Sequence, residues 1–217
     1  MDVQRFIQLY PQLYHMAEVG TWESIKQRGL LSTTAVLDTL GITGAARDQY
    51  ETEHRPEKMT VGLGARAIVL RDQKPMPPDR IVNALAGTGI TPQQWYRFLN
   101  RKVFMWAKEE RLLTLLGARA YKELEHDVLT IDTAKLVAKY REAISLCRMN
   151  SGNTFPWWHP RSFDDFKSIS SYPAKASGDP AKAVVEVVVD YAVPDLAAYV
   201  VEVRRMKSGK VLANIPI

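Results

Sequence analysis

The sequence contains a single cysteine, Cys147, and no apolar run that approaches the length of a membrane span. One cysteine excludes an internal disulfide framework and is typical of proteins in a reducing compartment. Asp2, Arg5 and Gln8 interrupt the first residues, where a signal peptide has a continuous apolar segment. We therefore expect a cytoplasmic protein without membrane contact. Cys147 lies in the strand-like run AISLCRMN, which favours a core position over a nucleophile.

The sequence also lacks the patterns of common metal sites and dinucleotide-binding loops. Its four histidines are far apart and no paired cysteines accompany them, so we expect no metal. The run VGLGARA has two glycines but a bulky residue where a dinucleotide fingerprint needs the third. The net charge of +5 and the pI near 9.3 permit an anionic partner without requiring one, because the positive residues are spread along the chain.

The overall composition is that of an ordinary soluble globular protein, with 46% hydrophobic and 24% charged residues among 217. Short strand and helix patterns are mixed without regular βα alternation, which favours a single α+β domain over residues 1–217. Helical patterns occur at residues 3–10, 21–31, 33–42, 44–55, 91–100 and 108–124, the last being the longest. Strand patterns occur at residues 13–17, 66–73, 102–107, 127–133, 183–191, 197–206 and 210–217. The pattern at residues 127–133 is predicted to continue as a strand to residue 147.

One strand pattern, AVVEVVVDY at residues 183–191, places an acid among valines. Strand alternation directs Ala183, Val185, Val187 and Val189 to one face and Val184, Glu186 and Val188 to the other. Both faces look suited to burial, as in a central strand. An unpaired carboxylate is costly in such a place, so Glu186 either has a stabilising partner or faces a ligand cleft. The alternative is an edge strand with Glu186 in water.

Residues 150–182 form the longest stretch without a regular pattern, with one helical turn predicted at SFDDFKSI. Long loops within compact domains are uncommon and are often functional. This loop contains hydrogen-bonding groups and a cluster of aromatic and basic side chains. These residues can form hydrogen bonds, stack on a base or hold phosphate: Asn150, Ser151, Asn153, Thr154, Trp157, Trp158, His159 and Arg161. The alternative is a loop packed by its own aromatic residues.

Three blocks together resemble the ADP-ribosyltransferase fold. LYHMAEVGTWESIKQRGLLS is similar to the opening strand and helix of that fold, KVFMWA to its central aromatic strand, and VEVVVDYAVPDLAAYVVEV to its catalytic segment. The order histidine, aromatic, glutamate resembles the diphtheria-toxin-like branch. Within it, the blocks YHMA…IKQRGLLS, VLRDQKPM and VEVVVDYAVP are most similar to the DarT-type DNA ADP-ribosyltransferase toxins. The resemblance implies a pair of small mixed or antiparallel sheets flanked by helices.

The resemblance implies a reaction in which the bond between nicotinamide and ribose in NAD is cleaved. NAD is then a co-substrate, and no metal takes part. The transition state has oxocarbenium character, so a carboxylate beside the ribose stabilises its positive charge. By this resemblance Glu186 is the catalytic residue.

The resemblance also implies residues that bind NAD. His15 is expected to hydrogen-bond an NAD ribose, and Phe104 or Trp106 to stack on nicotinamide. One of these two aromatics takes the place of the family's tyrosine, so the phenolic hydroxyl is lost. Tyr14, beside His15, is a further cofactor-binding candidate, for which packing is favoured. The basic candidates for the pyrophosphate are Arg71 first, then Arg55 and Arg47, and for Arg47 a solvated helix face is favoured.

The resemblance implies that the loop at residues 150–182 contacts the acceptor through the residues named above. We therefore expect a monomeric NAD-dependent ADP-ribosyltransferase that modifies a macromolecule, with nucleic acid as the favoured acceptor. An antitoxin partner follows from the family alone. The alternatives are the same fold acting on a protein or hydrolysing NAD, and a catalytically silent domain that binds nucleic acid or a partner. A further alternative is RNA 2′-phosphotransfer, which needs several phosphate-gripping arginines and depends less on Glu186.

Overall fold

The computed structural model describes residues 1–217, apart from the side chain of Ala65. Among the described residues there are eight α-helices and twelve strands. The helices are α1 Val3–Leu9, α2 Trp22–Arg28, α3 Thr33–Thr39, α4 Gly44–Thr52, α5 Pro78–Ala84, α6 Pro92–Asn100, α7 Glu109–Leu116 and α8 Thr133–Tyr140. The strands are β1 Gln12–Glu18, β2 Leu30–Leu31, β3 Met59–Val61, β4 Ile68–Leu70, β5 Lys102–Trp106, β6 Glu125–Asp132, β7 Ile144–Cys147, β8 Phe166–Ser168, β9 Glu186–Asp190, β10 Ala192–Val193, β11 Val200–Lys207 and β12 Lys210–Asn214.

The main sheet has eight strands in the order β12-β11-β6-β1-β5-β9-β7-β8, and the neighbours in it are antiparallel. Its two four-stranded halves meet where β1 pairs with β5 through one register pair, Tyr14 with Trp106. The pairs β2-β10 and β3-β4 form two smaller sheets. The α+β prediction is confirmed, and the expected pair of sheets corresponds to these two halves, which are continuous with each other.

The principal core lies on one face of this sheet. Leu13, Leu129, Val187 and Val189 are buried there with Phe6 of α1. Smaller apolar clusters form where α5 and α6 pack together, where α3 meets β3 and β4, and where α7 meets β6 and β11. These clusters, together with the principal core, provide a rigid frame for the loops between the strands.

Several element predictions are corrected by the structure. Residues 133–140 form α8 instead of continuing a strand, because the Asp132 side chain accepts a hydrogen bond from the Lys135 amide and so caps a helix. The helix predicted over residues 108–124 ends at Leu116, with Gly117 as its cap, and turns follow. The strand predicted over residues 66–73 is limited to β4. The loop's helical turn is a 3₁₀ turn at Phe163–Asp165, followed by β8.

The strand that contains Glu186 is central, so the edge-strand alternative is wrong. β9 lies between β5 and β7, where Glu186 pairs with Trp106 on one side and with Cys147 on the other. The strand begins at Glu186, and the predicted alternation does not hold before it. Val184 packs in the principal core together with Val187 and Val189. Cys147 is buried, as predicted.

The turn after α2 approaches the segment that follows β9 very closely. Gly29 has a φ of 80°, and a Cβ added there would lie 2.3 Å from Pro194 Cα. We expect Gly29→Ala to lower the free energy of unfolding by about 2 kcal/mol or more, because left-handed strain and a backbone clash add together. Gly87→Ala is the matched control, since Gly87 has a φ of 77° and no atom within 4 Å of the added Cβ. Equal losses in urea denaturation of the two variants would show that the approach to Pro194 contributes nothing.

Candidate functional site

A cavity of about 590 Å³ opens where the two halves of the main sheet meet. Its volume is in the range of small-molecule and cofactor sites. Strands β1, β5 and β9 contribute to it, and so do the turn at Gly29 and residues 150–152. The predicted site residues that line the cavity are His15, Arg55, Arg71, Phe104, Trp106, Asn150, Ser151 and Glu186.

Glu186 is a carboxylate that lines this cavity, and it is only 4% exposed. The Ser151 backbone N–H donates a hydrogen bond of 3.1 Å to Glu186 Oε2. Burial raises the pKa of Glu186 from 4.5 to about 7, while the contacts with Ser151 and the charge of Arg161 act in the opposite direction. A buried glutamate that titrates near neutrality and faces a cavity is typical of functional sites.

His15, in the middle of β1, also lines the cavity. Its Nδ1 is 2.8 Å from the Phe104 carbonyl oxygen. A carbonyl can only accept, so Nδ1 carries the proton and Nε2 is left as an acceptor. Burial lowers the pKa of His15 to about 4, and the charge of Arg71 contributes in the same direction, whereas the carbonyl contact opposes it. The ring is therefore neutral at physiological pH and offers one acceptor nitrogen.

Phe104 and Trp106 both line the cavity from β5, on the strand face that they share with Glu186 and Val188. Each is partly buried and packs on a different side. Phe104 contacts the α5–α6 cluster and Trp106 the α7 cluster. Either ring offers an aromatic surface for a planar ligand, as predicted.

Tyr14 does not reach the cavity. It packs against the α7 cluster, which contains Leu112 and Leu116, and its hydroxyl donates to Gln12 Oε1 at 3.2 Å. The structure therefore does not bring Tyr14 together with the other predicted NAD-binding residues at the cavity.

The three predicted arginines have different roles. Arg71 lines the cavity and its Nη1 donates to Glu18 Oε2 at 2.7 Å. Arg55 is buried, and its guanidinium donates to the Tyr50 and Arg71 carbonyls and to Asn100 Oδ1. Burial lowers the pKa of Arg55 to about 10, yet it stays charged. Its donors are occupied by the protein, so Arg55 supports the cavity wall instead of binding phosphate.

Arg47 lies outside the cavity on α4. It pairs with Asp38 at 2.5 Å and with Glu51 at 3.1 Å. This arrangement agrees with the favoured alternative, a helix face with its own ion pairs. Arg47 is not part of the site.

The loop that begins at residue 150 separates into a braced part and an exposed part. Arg161 is 2% exposed and donates to the carbonyls of Ser151 at 2.6 Å and Asn153 at 3.0 Å. Thr154 is fully buried, and its amide and hydroxyl both donate to the Pro75 carbonyl. Arg161 and Thr154 therefore hold the loop in place and cannot contact an acceptor in this conformation, contrary to the prediction.

The exposed part of the loop presents aromatic side chains. Trp157 is 76% exposed and Trp158 is 43% exposed. Arg80 of α5 lies 4.2 Å from the Phe155 ring centroid and donates to the Pro156 carbonyl at 2.8 Å. Self-packing of the loop aromatics therefore does not apply to the two tryptophans. Asn153 donates to the Phe155 carbonyl and His159 is exposed.

Sequence reasoning missed a polar cluster on the wall of the cavity. Glu18 pairs with Lys58 and Arg71, and Tyr121 donates to Asp72 Oδ1 at 2.8 Å. Glu18 and Asp72 lie close in sequence to residues that were already candidates. The position of Glu18, three residues after His15 on the same strand, was the signal that could have identified it. Tyr121 was placed in a helix that the structure ends at Leu116, so the sequence contained no signal for it.

The described residues contain no group of three or more His, Cys, Asp or Glu arranged to hold a metal ion. Within the same residues, no helix has the length and apolar character needed to cross a membrane.

Comparison with known proteins identifies one family. A search of curated proteins found no match. A family profile, described as a family of unknown function (DUF7002), matches residues 11–200. This range includes the cavity residues from His15 to Glu186 and the whole loop at residues 150–182. The match covers most of the sequence, and the chain therefore belongs to the DUF7002 family.

Proposed function

We propose that this protein is an NAD-dependent ADP-ribosyltransferase. One observation carries the proposal: a buried glutamate in a central strand shares a cavity with a neutral histidine and two aromatic rings. These are the residues that the resemblance assigns to NAD binding and transfer, and they come from distant parts of the sequence. The proposal rests on this arrangement together with the resemblance.

The proposed reaction breaks the bond between the nicotinamide nitrogen and the ribose anomeric carbon. The electron pair leaves with nicotinamide, an acceptor nucleophile bonds to the anomeric carbon, and the nucleophile's proton is released. The ionised Glu186 carboxylate stabilises the positive charge that develops on the ribose. His15 Nε2 accepts a hydrogen bond from a ribose hydroxyl, and Phe104 or Trp106 provides a surface for nicotinamide.

The acceptor is proposed to be a nucleic acid, bound beside the cavity by the exposed part of the loop. Two exposed tryptophans provide surfaces on which bases can stack, and this is an unusual use of large apolar side chains on a protein surface. A protein acceptor and hydrolysis without an acceptor are the alternatives. A cytoplasmic location, a monomeric state and an antitoxin partner belong to the same proposal.

Labelled NAD distinguishes these possibilities. Purified protein is incubated with NAD labelled in the adenylate part and with separate pools of DNA, RNA and protein. Label that stays on DNA or RNA supports the proposal, and label on the protein pool identifies a protein acceptor. Released nicotinamide without labelled macromolecule indicates a hydrolase. Intact NAD in every pool would refute enzyme activity and leave a binding module.

The loop prediction concerns Trp157 and Trp158. Replacing both by alanine should weaken binding of a single-stranded oligonucleotide by roughly tenfold or more, since stacking contributes about 1–3 kcal/mol per base. NAD affinity should be unchanged, because neither side chain lines the cavity. Fluorescence anisotropy over a range of salt concentrations measures the first effect, and binding should weaken steeply with salt.

Leu212→Ala is the matched control, because Leu212 is 52% exposed on β12. It should leave oligonucleotide binding unchanged. If the double tryptophan variant binds the oligonucleotide like the parent, the loop is not the acceptor surface.

A further inference from the structure

A carboxylate on the cavity wall is held between two cations. Glu18 Oε1 lies 2.6 Å from Lys58 Nζ, and Glu18 Oε2 lies 2.7 Å from Arg71 Nη1. Glu18 ends β1, Lys58 precedes β3 and Arg71 follows β4, so three separate segments meet here. Glu18 and Arg71 both line the cavity. A ligand in the cavity therefore meets Arg71, and Lys58 lies directly behind Glu18 as the second cation that this carboxylate neutralises.

The pairing leaves Arg71 incompletely satisfied. Its Nη1 also lies 3.3 Å from His126 Nδ1. Burial and the charge of Arg71 lower the pKa of His126 to about 4, so the ring is neutral and Nδ1 can accept. Arg71 Nη2 is buried without a hydrogen-bond partner among the described residues. A buried donor atom without a partner is costly unless another group accepts from it.

A phosphate group would complete this site better than Glu18 does. Arginine binds phosphate through two parallel hydrogen bonds, and lysine contributes a point charge. Two cations and one carboxylate leave an excess positive charge, whereas the two negative charges of a diphosphate would balance both cations. The other nearby acid, Asp72, is engaged by the Tyr121 hydroxyl.

We infer that Glu18 is an internal competitor for the anionic part of the ligand. It occupies the position at Lys58 and Arg71 that a diphosphate takes when the ligand binds, and it lowers the affinity of the cavity for anions. The inference rests on the proposed function for the identity of that ligand, since NAD contains a diphosphate.

Glu18→Gln tests this inference, because it keeps the shape of the side chain and removes its charge. Isothermal titration with inorganic pyrophosphate at low salt compares this variant with the parent. We expect the variant to bind pyrophosphate about tenfold more tightly. Glu142→Gln is the control, since Glu142 is almost fully exposed and lies outside the cavity. It should bind pyrophosphate like the parent.

Equal or weaker binding by Glu18→Gln would overturn the inference and make Glu18 a structural ion-pair partner. Lys58→Met provides a second variant that does not depend on the folding of the first. It should weaken pyrophosphate binding, and an unchanged affinity would also overturn the inference. The proposed function is tested separately from this inference. If Glu18→Gln binds pyrophosphate more tightly but the parent does not turn over NAD, only the proposed activity is refuted. If the parent turns over NAD but Glu18→Gln does not bind pyrophosphate more tightly, only the role of Glu18 is refuted.

Discussion

Replacing Glu186 by glutamine is expected to reduce NAD turnover by about 10²–10³-fold and to leave NAD affinity nearly unchanged. Glutamine keeps an oxygen that can accept from the Ser151 amide, as Glu186 does at 3.1 Å. The charge that stabilises the ribose in the transition state is lost, and such a loss lowers the rate more than it lowers ground-state binding. Nicotinamide release and equilibrium binding of NAD measure the two effects.

The pH dependence of turnover provides a second readout. Since burial raises the pKa of Glu186 to about 7, the parent's rate should rise as the pH passes through 7 and the carboxylate ionises. Glu186→Gln should lack this rise. Glu142→Gln, a matched surface change, should behave like the parent. Turnover within about threefold of the parent would mean that Glu186 is not catalytic.

The same substitution is expected to alter stability in a pH-dependent way, whatever the activity. Above its ordinary pKa of 4.5 the Glu186 carboxyl ionises in the unfolded chain, but in the folded protein it stays protonated up to about 7. The folded state therefore binds more protons in this window, and the parent loses stability as the pH rises through it. The difference between 4.5 and about 7 corresponds to roughly 3 kcal/mol, all of which is lost above pH 7.

Glu186→Gln has no carboxyl group to ionise at this position. The free energy of unfolding of the variant, relative to the parent, should therefore increase by roughly 2–3 kcal/mol between pH 4.5 and pH 8. Urea denaturation at several pH values measures this difference, and Glu142→Gln again serves as the control. A difference that stays constant with pH would mean that Glu186 is ionised in the folded protein throughout this range.

The sequence predicted the cavity better than it predicted the roles of the individual polar residues. Alternating apolar runs identified the strands that carry His15, Phe104 and Glu186, because burial imposes that pattern directly. A polar residue beside such a run could be assigned only by its chemistry. Tyr14 packs against the α7 cluster, and such packing between elements leaves no pattern in the sequence.

The arginines show why the rest could not be predicted. Arg55, Arg71 and Arg161 each follow or precede apolar segments, and each is suited to phosphate by its chemistry alone. Arg55 and Arg161 instead bind backbone carbonyls that approach them only after folding. Which carbonyls these are depends on loops that have no sequence period. The role of Arg161 could be learned only from the structure.

The position of Ser151 has a consequence for how this protein can diversify. Its N–H donates to Glu186 and its carbonyl accepts from Arg161, so the start of the loop and the carboxylate form one hydrogen-bonded unit. Residues 155–159 lie beyond that unit and are exposed. Sequence drift at residues 155–159 can therefore reshape the outer surface without moving the carboxylate. Loss of the Arg161 side chain would free the Ser151 carbonyl and so disturb the backbone that binds Glu186, which makes Arg161 the boundary between the adaptable and the constrained parts of the loop.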